Sequence, residues 1–392
     1  HRVDRRQRQM CIRDRVKTEE DFYEACRAAA IIGTLQAGFT DLPYLGEVSE
    51  KILRREALLG VSMTGIMEQH EICLNPNVQK KGAQIVKQTN KELAKKIGIN
   101  QAARTTCVKP EGTSSCILGT SSGIHPHHAK RYIRRVQANK MEAIYGYFRK
   151  INPRACEESV WSANDSDDVI SFCIEVPPGS KTKNQIDALA LLGYVKDTQK
   201  NWVMIGKTDA LCTQPWLNHN VSNTINVKPD EWDDIEKFIY KNKRYFCGIS
   251  LLPVSGDKDY PQAPFTTIYL PSEQVAYYGD GAMFVSGLIE VALDLWEDNL
   301  WAACDALLGL GSRAKGASKR DWIARCKKFS RKYMDGDVKK LTYCMKDVYN
   351  WKEWVDLKRE YNKVDYTEII EEEDNVEPEQ EWACSGGVCE LI

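Results

Sequence analysis

The stretch from Arg104 to Val136, RTTCVKPEGTSSCILGTSSGIHPHHAKRYIRRV, constrains this chain more than any other. Its β-branched and apolar start, Thr105-Thr106-Cys107-Val108, has strand character and runs into Lys109-Pro110-Glu111-Gly112-Thr113-Ser114-Ser115. Proline fixes one backbone angle, glycine permits a tight turn, and the hydroxyl residues both cap a helix and donate hydrogen bonds. A strand that turns into a helix in this way leaves N–H groups pointing outward beside the positive end of the helix dipole, an arrangement suited to phosphate. A second turn, Ser121-Ser122-Gly123-Ile124-His125-Pro126, follows, and then a basic run of Lys130, Arg131, Arg134 and Arg135. The same residues also suit a plain capped helix with solvated cations.

With 392 residues, 43% of them apolar, the chain is long enough to bury a sizeable core in one large domain or in two or more units. Its net charge of −1 argues against a nucleic-acid coat, which carries a clear cationic excess. No apolar stretch approaches a membrane span and no signal peptide is evident, so the cytoplasm is the expected location. Fourteen cysteines spread over this length, with Cys26, Cys116, Cys173 and Cys304 inside apolar runs, read as small core residues of a reducing compartment.

Residues 1–15 stand apart. Arg5 to Arg15 matches the translation of a transposase-type sequencing adapter, so the protein proper is expected to begin near Val16 as a truncated reading frame. From Thr18, a cap, the pattern is helical, with Phe22, Ala25, Cys26, Ala29, Ile32 and Leu35 on one face. Leu58 to Met63 reads as a buried strand, and residues 77–97 as an amphipathic helix closed by Gly98. Further strands are expected over Val169–Pro178, His219–Val227 and Phe246–Pro253, and short helices over 141–152 and Asp230–Tyr240. Residues 284–309 and 319–358 read as outer helices. Strand and helix alternate, which is the signature of an α/β layer or barrel. The histidines His125, His127 and His128 invite a metal, but with no fourth ligand in view they are read as capping and loop residues, and no metal is expected.

After Lys363 the composition changes. Val364 to Glu381 carries nine acidic residues and no Lys or Arg, so residues 361–392 are expected to form a flexible acidic tether. It ends in Cys384-Ser385-Gly386-Gly387-Val388-Cys389, two thiols whose small and flexible spacer lets them close a disulfide. On a mobile tether such a pair can carry electrons by thiol–disulfide exchange; zinc binding and an unreactive tail are the competing readings.

These segments together resemble the ribonucleotide reductases of the adenosylcobalamin-dependent class. In that family the phosphate segment is close to K-P-S-G-T-x-S followed by S-S-G-x-H-P and Y-I-R-R-V, with Glu111 here in place of a small hydroxyl residue. A carboxylate beside a polyanion is unfavourable unless it points away. Ala30–Gly38 is similar to the family's A-T-I-L-G-T-L-Q-A, and Arg54–Gly65 to R-x-x-G-V-S-x-T-G. His219–Val227 resembles H-N-x-S-x-T-I, and Phe246–Phe265 resembles G-V-S-L-L-P…Y-P-Q-A-P-F.

The resemblance implies the C-terminal part of a ten-stranded α/β barrel over residues 16–360, incomplete here. It implies reduction of ribonucleotides, as triphosphates, to 2′-deoxyribonucleotides for DNA synthesis, begun by adenosylcobalamin through a thiyl radical. Pro110, Gly112, Thr113, Ser114 and Ser115 would hold the substrate's phosphates, and Asn220 and Ser222 would line the cavity. Cys384 and Cys389 would deliver electrons and be re-reduced by thioredoxin or glutaredoxin. A dNTP or ATP effector would bind on a part N-terminal to this chain, and no membrane or nucleic-acid partner is implied. The family's N-P-C-x-E loop, which carries the radical cysteine, does not occur in the sequence, so the chain as it stands is expected to be inactive.

Two alternatives remain. A di-iron-dependent large subunit would carry a Tyr-Tyr pair near the end of the barrel, where this chain has Tyr343-Cys344; Tyr277-Tyr278 lies elsewhere. A non-enzymatic phosphate-binding module with a redox-switched tail is the other.

Overall fold

The computed structural model describes residues 7–11 (backbone), 16–40, 46–110, 115, 118–162, 164–254, 260, 262–310 and 315–369. These fall into two compact units, one drawn from 1–129 and 176–255, the other from 130–175 and 256–389.

In the first unit Thr18 starts a helix over Glu19–Ala37 through a capping box: its hydroxyl accepts from Asp21 N–H, and the Asp21 carboxylate accepts from Thr18 N–H. The buried face is Phe22, Cys26, Ala29, Ala30, Gly33 and Ala37, whereas Ile32 and Leu35 are 50% and 46% exposed. That corrects the expected stripe. The helix lies against Pro76–Ile97, where Gly82 faces Phe22 so closely that a Cβ would come within 2.6 Å of its ring. Small residues at the crossing, rather than the largest apolar ones, set which face turns inward. Pro76–Ile97 itself follows expectation, opened by the Asn75 side chain and closed by Gly98 at φ +75°.

The same unit holds a parallel layer. The strands are β1 (Gln7–Cys11), β2 (Gly60–Thr64), β6 (Thr224–Val227) and β7 (Ser250–Pro253). β1 pairs in parallel with β2, and β6 with β7. The segment 105–108 bridges the two halves in parallel, Val61 to Thr106 on one side and Val108 to Val221 on the other. Its ladder includes Val61 N–H to Thr105 O at 2.8 Å and Ser222 N–H to Val108 O at 2.9 Å. β1 falls inside the stretch read as adapter-derived. Backbone pairing asks only for an extended segment at an open edge, so this seat needs no particular sequence. β2 is buried along its whole length, as a strand covered on both faces should be.

Trp202 seals the layer. Its side chain is fully buried, stands edge-on to Phe22 and donates from Nε1 to Cys107 O at 2.9 Å. It lies in a π-helical turn, Gln199–Val203, that continues the helix Ala188–Thr198.

The second unit holds an antiparallel sheet in the order β4 (Cys156–Glu158), β5 (Asp167–Glu175), β3 (Arg131–Asn139) and β8 (Phe265–Thr267). Its helices among the described residues are Ala143–Ile151, Pro271–Tyr278, Ser286–Leu295, Leu300–Leu308, Ala317–Tyr333 and Val338–Glu360, so the two long outer helices expected from sequence are each interrupted. Glu297 and Asp298, both at positive φ, break the first, and Asp335 and Gly336, also at positive φ, break the second.

Among the described residues no sheet closes into a barrel. The fold is mixed α/β, and the expected ten-stranded barrel portion is present only as this short parallel layer and the separate antiparallel sheet. The first residues of the expected tether are also held: Asn362 exchanges two hydrogen bonds with Asn152, at 2.7 and 2.9 Å, and Val364 is buried. No helix among the described residues is long and apolar enough to cross a membrane.

Candidate functional site

The 105–108 segment ends at Val108, and its next residue is tied down by Lys109 N–H donating to Ser62 Oγ at 2.9 Å. Pro110, half-buried, therefore leaves the carboxyl end of a parallel layer, the place where open α/β sheets receive their ligands. Gly112, Thr113 and Ser114 lie outside the described residues, as do Cys384 and Cys389. Ser115 is buried and its carbonyl accepts from Thr120 N–H at 2.9 Å.

The chain then returns to the end of β2. Ser121 O accepts from Gly65 N–H at 2.9 Å and from the Thr64 hydroxyl at 3.0 Å, while Thr64 Oγ1 accepts from Gly123 N–H at 3.1 Å. Asn220 and Ser222 are half-buried beside the same strand end: Asn220 O accepts from Val108 N–H, and Ser222 N–H donates to Val108 O. They are thereby brought to the layer that carries Pro110.

A residue that sequence patterning missed sits at the centre. Glu68 is buried, and its carboxylate lies 2.7 Å from His127 Nε2, accepts from Ser121 N–H at 2.6 Å and accepts from the Ser121 hydroxyl at 2.8 Å. Desolvation pushes the Glu68 carboxyl up, but His127 and the two Ser121 hydrogen bonds outweigh it and hold the group below the usual carboxylate range. Such a carboxyl contributes its full stability above its unfolded value, about 4.3, and loses it as pH falls through the lower folded value. Acid unfolding followed by circular dichroism is therefore expected to show stability declining below about pH 4.3, with Glu68→Gln flattening that limb. An acid limb identical in the variant would refute this assignment.

His125 sits in a loop, whereas His127 is the buried partner of Glu68. His125 Nδ1 lies 2.9 Å from Ser122 O, and its Nε2 accepts from Thr224 N–H at 2.9 Å, which fixes a neutral ring; burial lowers its pKa further. Among the described residues no group of His, Cys, Asp and Glu has the makings of a metal site. The described cysteines carry free thiols; burial raises that of Cys26 and pushes that of Cys173 up to about 12, as inert core thiols should be.

The basic run departs from the picture of solvated cations. Within the second unit, Arg131 pairs with Glu273 at 2.6 Å, and buried Arg134 lies over the Phe265 ring. Arg135 donates to Thr266 Oγ1 at 2.7 Å and lines a cavity of about 630 Å³ with Glu157, Trp301 and Glu353. Strand β3, rather than a helix surface, carries these three arginines, while Lys130 just before it is exposed. In the same unit Tyr277 and Tyr278 meet edge to face, and the Tyr278 hydroxyl donates to Asp347 at 2.6 Å.

No family model matches the chain. Comparison with curated proteins places its resemblance among the ribonucleotide reductases, as the sequence motifs implied. The relatives are adenosylcobalamin-dependent ribonucleoside-triphosphate reductases. That of Lactobacillus delbrueckii subsp. bulgaricus is 24% identical over 269 residues, 61% of this chain and 34% of the relative. That of Levilactobacillus brevis is 26% identical over 249 residues, 56% of this chain and 31% of the relative. A probable reductase of the same kind from Dictyostelium discoideum is 23% identical over 265 residues, covering 64% and 31%. The chain thus spans about a third of the length of the curated relatives it matches. Among solved structures, a B12-dependent (class II) ribonucleotide reductase aligns with a TM-score of 0.49 at 19% identity, over 65% of this chain and 38% of that one.

Proposed function

We propose that this chain is the substrate-phosphate portion and the electron-delivering tail of an adenosylcobalamin-dependent ribonucleoside-triphosphate reductase, an oxidoreductase that replaces the ribose 2′-hydroxyl by hydrogen. The observation that carries this reading is the departure of Lys109-Pro110 from the carboxyl end of the parallel layer, with the return chain fastened to β2. Gly112, Thr113, Ser114 and Ser115 hold the phosphates through backbone N–H groups and hydroxyls, and Pro110, which has no N–H to donate, sets the backbone angle at the start of the turn. Asn220 and Ser222 line the substrate side of the same strand end. Cys384 and Cys389 give up two electrons and two protons as they close to a disulfide, and thioredoxin or glutaredoxin restores the dithiol. Effector nucleotides, dNTP or ATP, act outside this chain.

Adenosylcobalamin, the cofactor of the relatives, supplies the radical that opens such chemistry when bound. His125, whose two ring nitrogens are both engaged, would not be free to hold the cofactor. The residues of this chain fit the phosphate and the dithiol, and no radical step is assigned to them.

Calorimetric titration with a ribonucleoside triphosphate tests the reading. Binding is expected, with Thr113→Ala/Ser114→Ala weakening it by about tenfold or more, the scale of hydrogen bonds lost to a charged group. A chain that binds neither nucleoside triphosphate nor tripolyphosphate would overturn it.

A further inference from the structure

Glu68 belongs to none of the motifs quoted from the sequence, yet it is the best-connected buried charge of the first unit. Its side chain is 2% exposed and that of His127 is fully buried, so both partners are withdrawn from water. Two buried groups of this kind are stabilised only when their remaining hydrogen-bonding capacity is also met. Ser121 meets it from both its backbone N–H and its hydroxyl.

What this pair fastens matters more than the pair itself. Ser121 opens the second turn and His127 directly follows its last residue, Pro126, while Glu68 lies four residues beyond the end of β2. The turn reaches the phosphate segment at two points. Thr120, adjacent to Ser121, donates its N–H to Ser115 O, at the far end of the turn. Gly123, between the two ends, sits so close to the near end that a Cβ there would lie 2.7 Å from Lys109 O and 3.5 Å from Pro110 Cα. His127 is further anchored by N–H to Lys181 O at 3.1 Å, and Lys181 by its own N–H to Met67 O at 3.1 Å, next to Glu68. Besides the direct tie from Lys109 to Ser62 and that from Gly123 to Thr64, the second turn is therefore fastened beside this carboxylate at both Ser121 and His127.

We propose that Glu68 is a positioning residue: its carboxylate, gripping Ser121 and His127 together, holds the Ser121–His127 turn against Lys109-Pro110 and Ser115 and so fixes the shape of the phosphate-binding turn. It touches no substrate. This deepens the phosphate reading above and rests on it. The groups facing the carboxylate are His127, Ser121 and the buried thiol of Cys73, whose pKa Glu68 helps to raise.

The experiment compares the whole chain with Glu68→Gln, His127→Gln and the double variant, using tripolyphosphate as the ligand. Glutamine keeps the volume but brings an NH₂ group and loses the charge. In each single variant the Ser121 and Gly123 amides are expected to exchange with solvent at least about tenfold faster, while the β6–β7 amides keep their protection. Tripolyphosphate affinity is expected to fall by about tenfold, with the double variant no worse than the singles because the pair acts as one unit. Unchanged exchange at Ser121 and Gly123 would overturn the latch whatever the ligand does. Faster exchange with undiminished tripolyphosphate binding would overturn the positioning role while leaving the phosphate reading intact. Failure of the unsubstituted chain to bind tripolyphosphate would overturn both, and is separately visible because exchange is measured without ligand.

Discussion

Replacing Trp202 by alanine is expected to cost about 4 kcal/mol, the range for removing a large buried aromatic from a packed core. The side chain is fully buried, so the whole of its apolar surface is lost to the core and a cavity remains. Its neighbours are poorly placed to collapse into that space. Phe22 is fixed by the helix that also seats Cys26 against Gly82, and Gly82 has no side chain to move. The indole N–H is also the donor to Cys107 O, so deletion leaves a carbonyl of the central segment without that partner. Trp202→Phe separates the two losses: it keeps most of the volume and is expected to cost about 1–2 kcal/mol. A domain of ordinary stability, about 5–15 kcal/mol, would be left marginal by the alanine change. Urea unfolding monitored by far-UV circular dichroism measures both values. An alanine variant with an unshifted midpoint would mean that Trp202 does not seal the layer.

The same residue shows which parts of the fold were legible in the sequence. Elements announced by local chemistry were: Thr18 and Asp21 start a helix, Gly98 closes another, and the apolar run ahead of Thr64 makes a buried strand. What escaped was decided between elements. The stripe of Ile32 and Leu35 looked inward because they are large, but the helix crossing at Gly82 selects small residues. His219–Val227 alternates like one strand, yet only Thr224–Val227 forms one, because Val221 N–H is taken by the Gln199 side chain and Thr224 N–H by His125. A side chain that replaces a ladder partner leaves no period in the sequence.

The candidate site divides in the same way. The turn chemistry of Lys109 to Ser115 was legible because proline, glycine and hydroxyl residues are punctuation. Glu68 was not, because its partners lie 53 and 59 residues further along the chain. The available signal was a single carboxylate directly behind the apolar Ile66-Met67, a position where an unpaired charge is costly.

Gly123→Ala is expected to weaken ligand binding strongly although Gly123 lies outside the phosphate turn. The position has φ +56°, a left-handed conformation that costs an L-residue about 1–2 kcal/mol. The new methyl would also lie 2.7 Å from Lys109 O and 3.2 Å from Lys109 C, both backbone atoms that have no rotamer by which to yield. Lys109 is held from the other side by Ser62, so relief requires the Lys109-Pro110 peptide or the Ser121–Gly123 turn to move away. Either movement changes the start of the phosphate turn, and phosphate recognition by backbone N–H groups depends on their pointing at one spot. Triphosphate affinity is expected to fall by more than about tenfold, while thermal stability falls only by the strain of the local turn. Gly98→Ala is the control for left-handed strain alone, since Gly98 has φ +75° with nothing within 4 Å of its would-be Cβ. If both alanine variants bind triphosphate as the unsubstituted chain does, Gly123 does not shape the site, and the close packing of the second turn on Lys109 serves the fold alone.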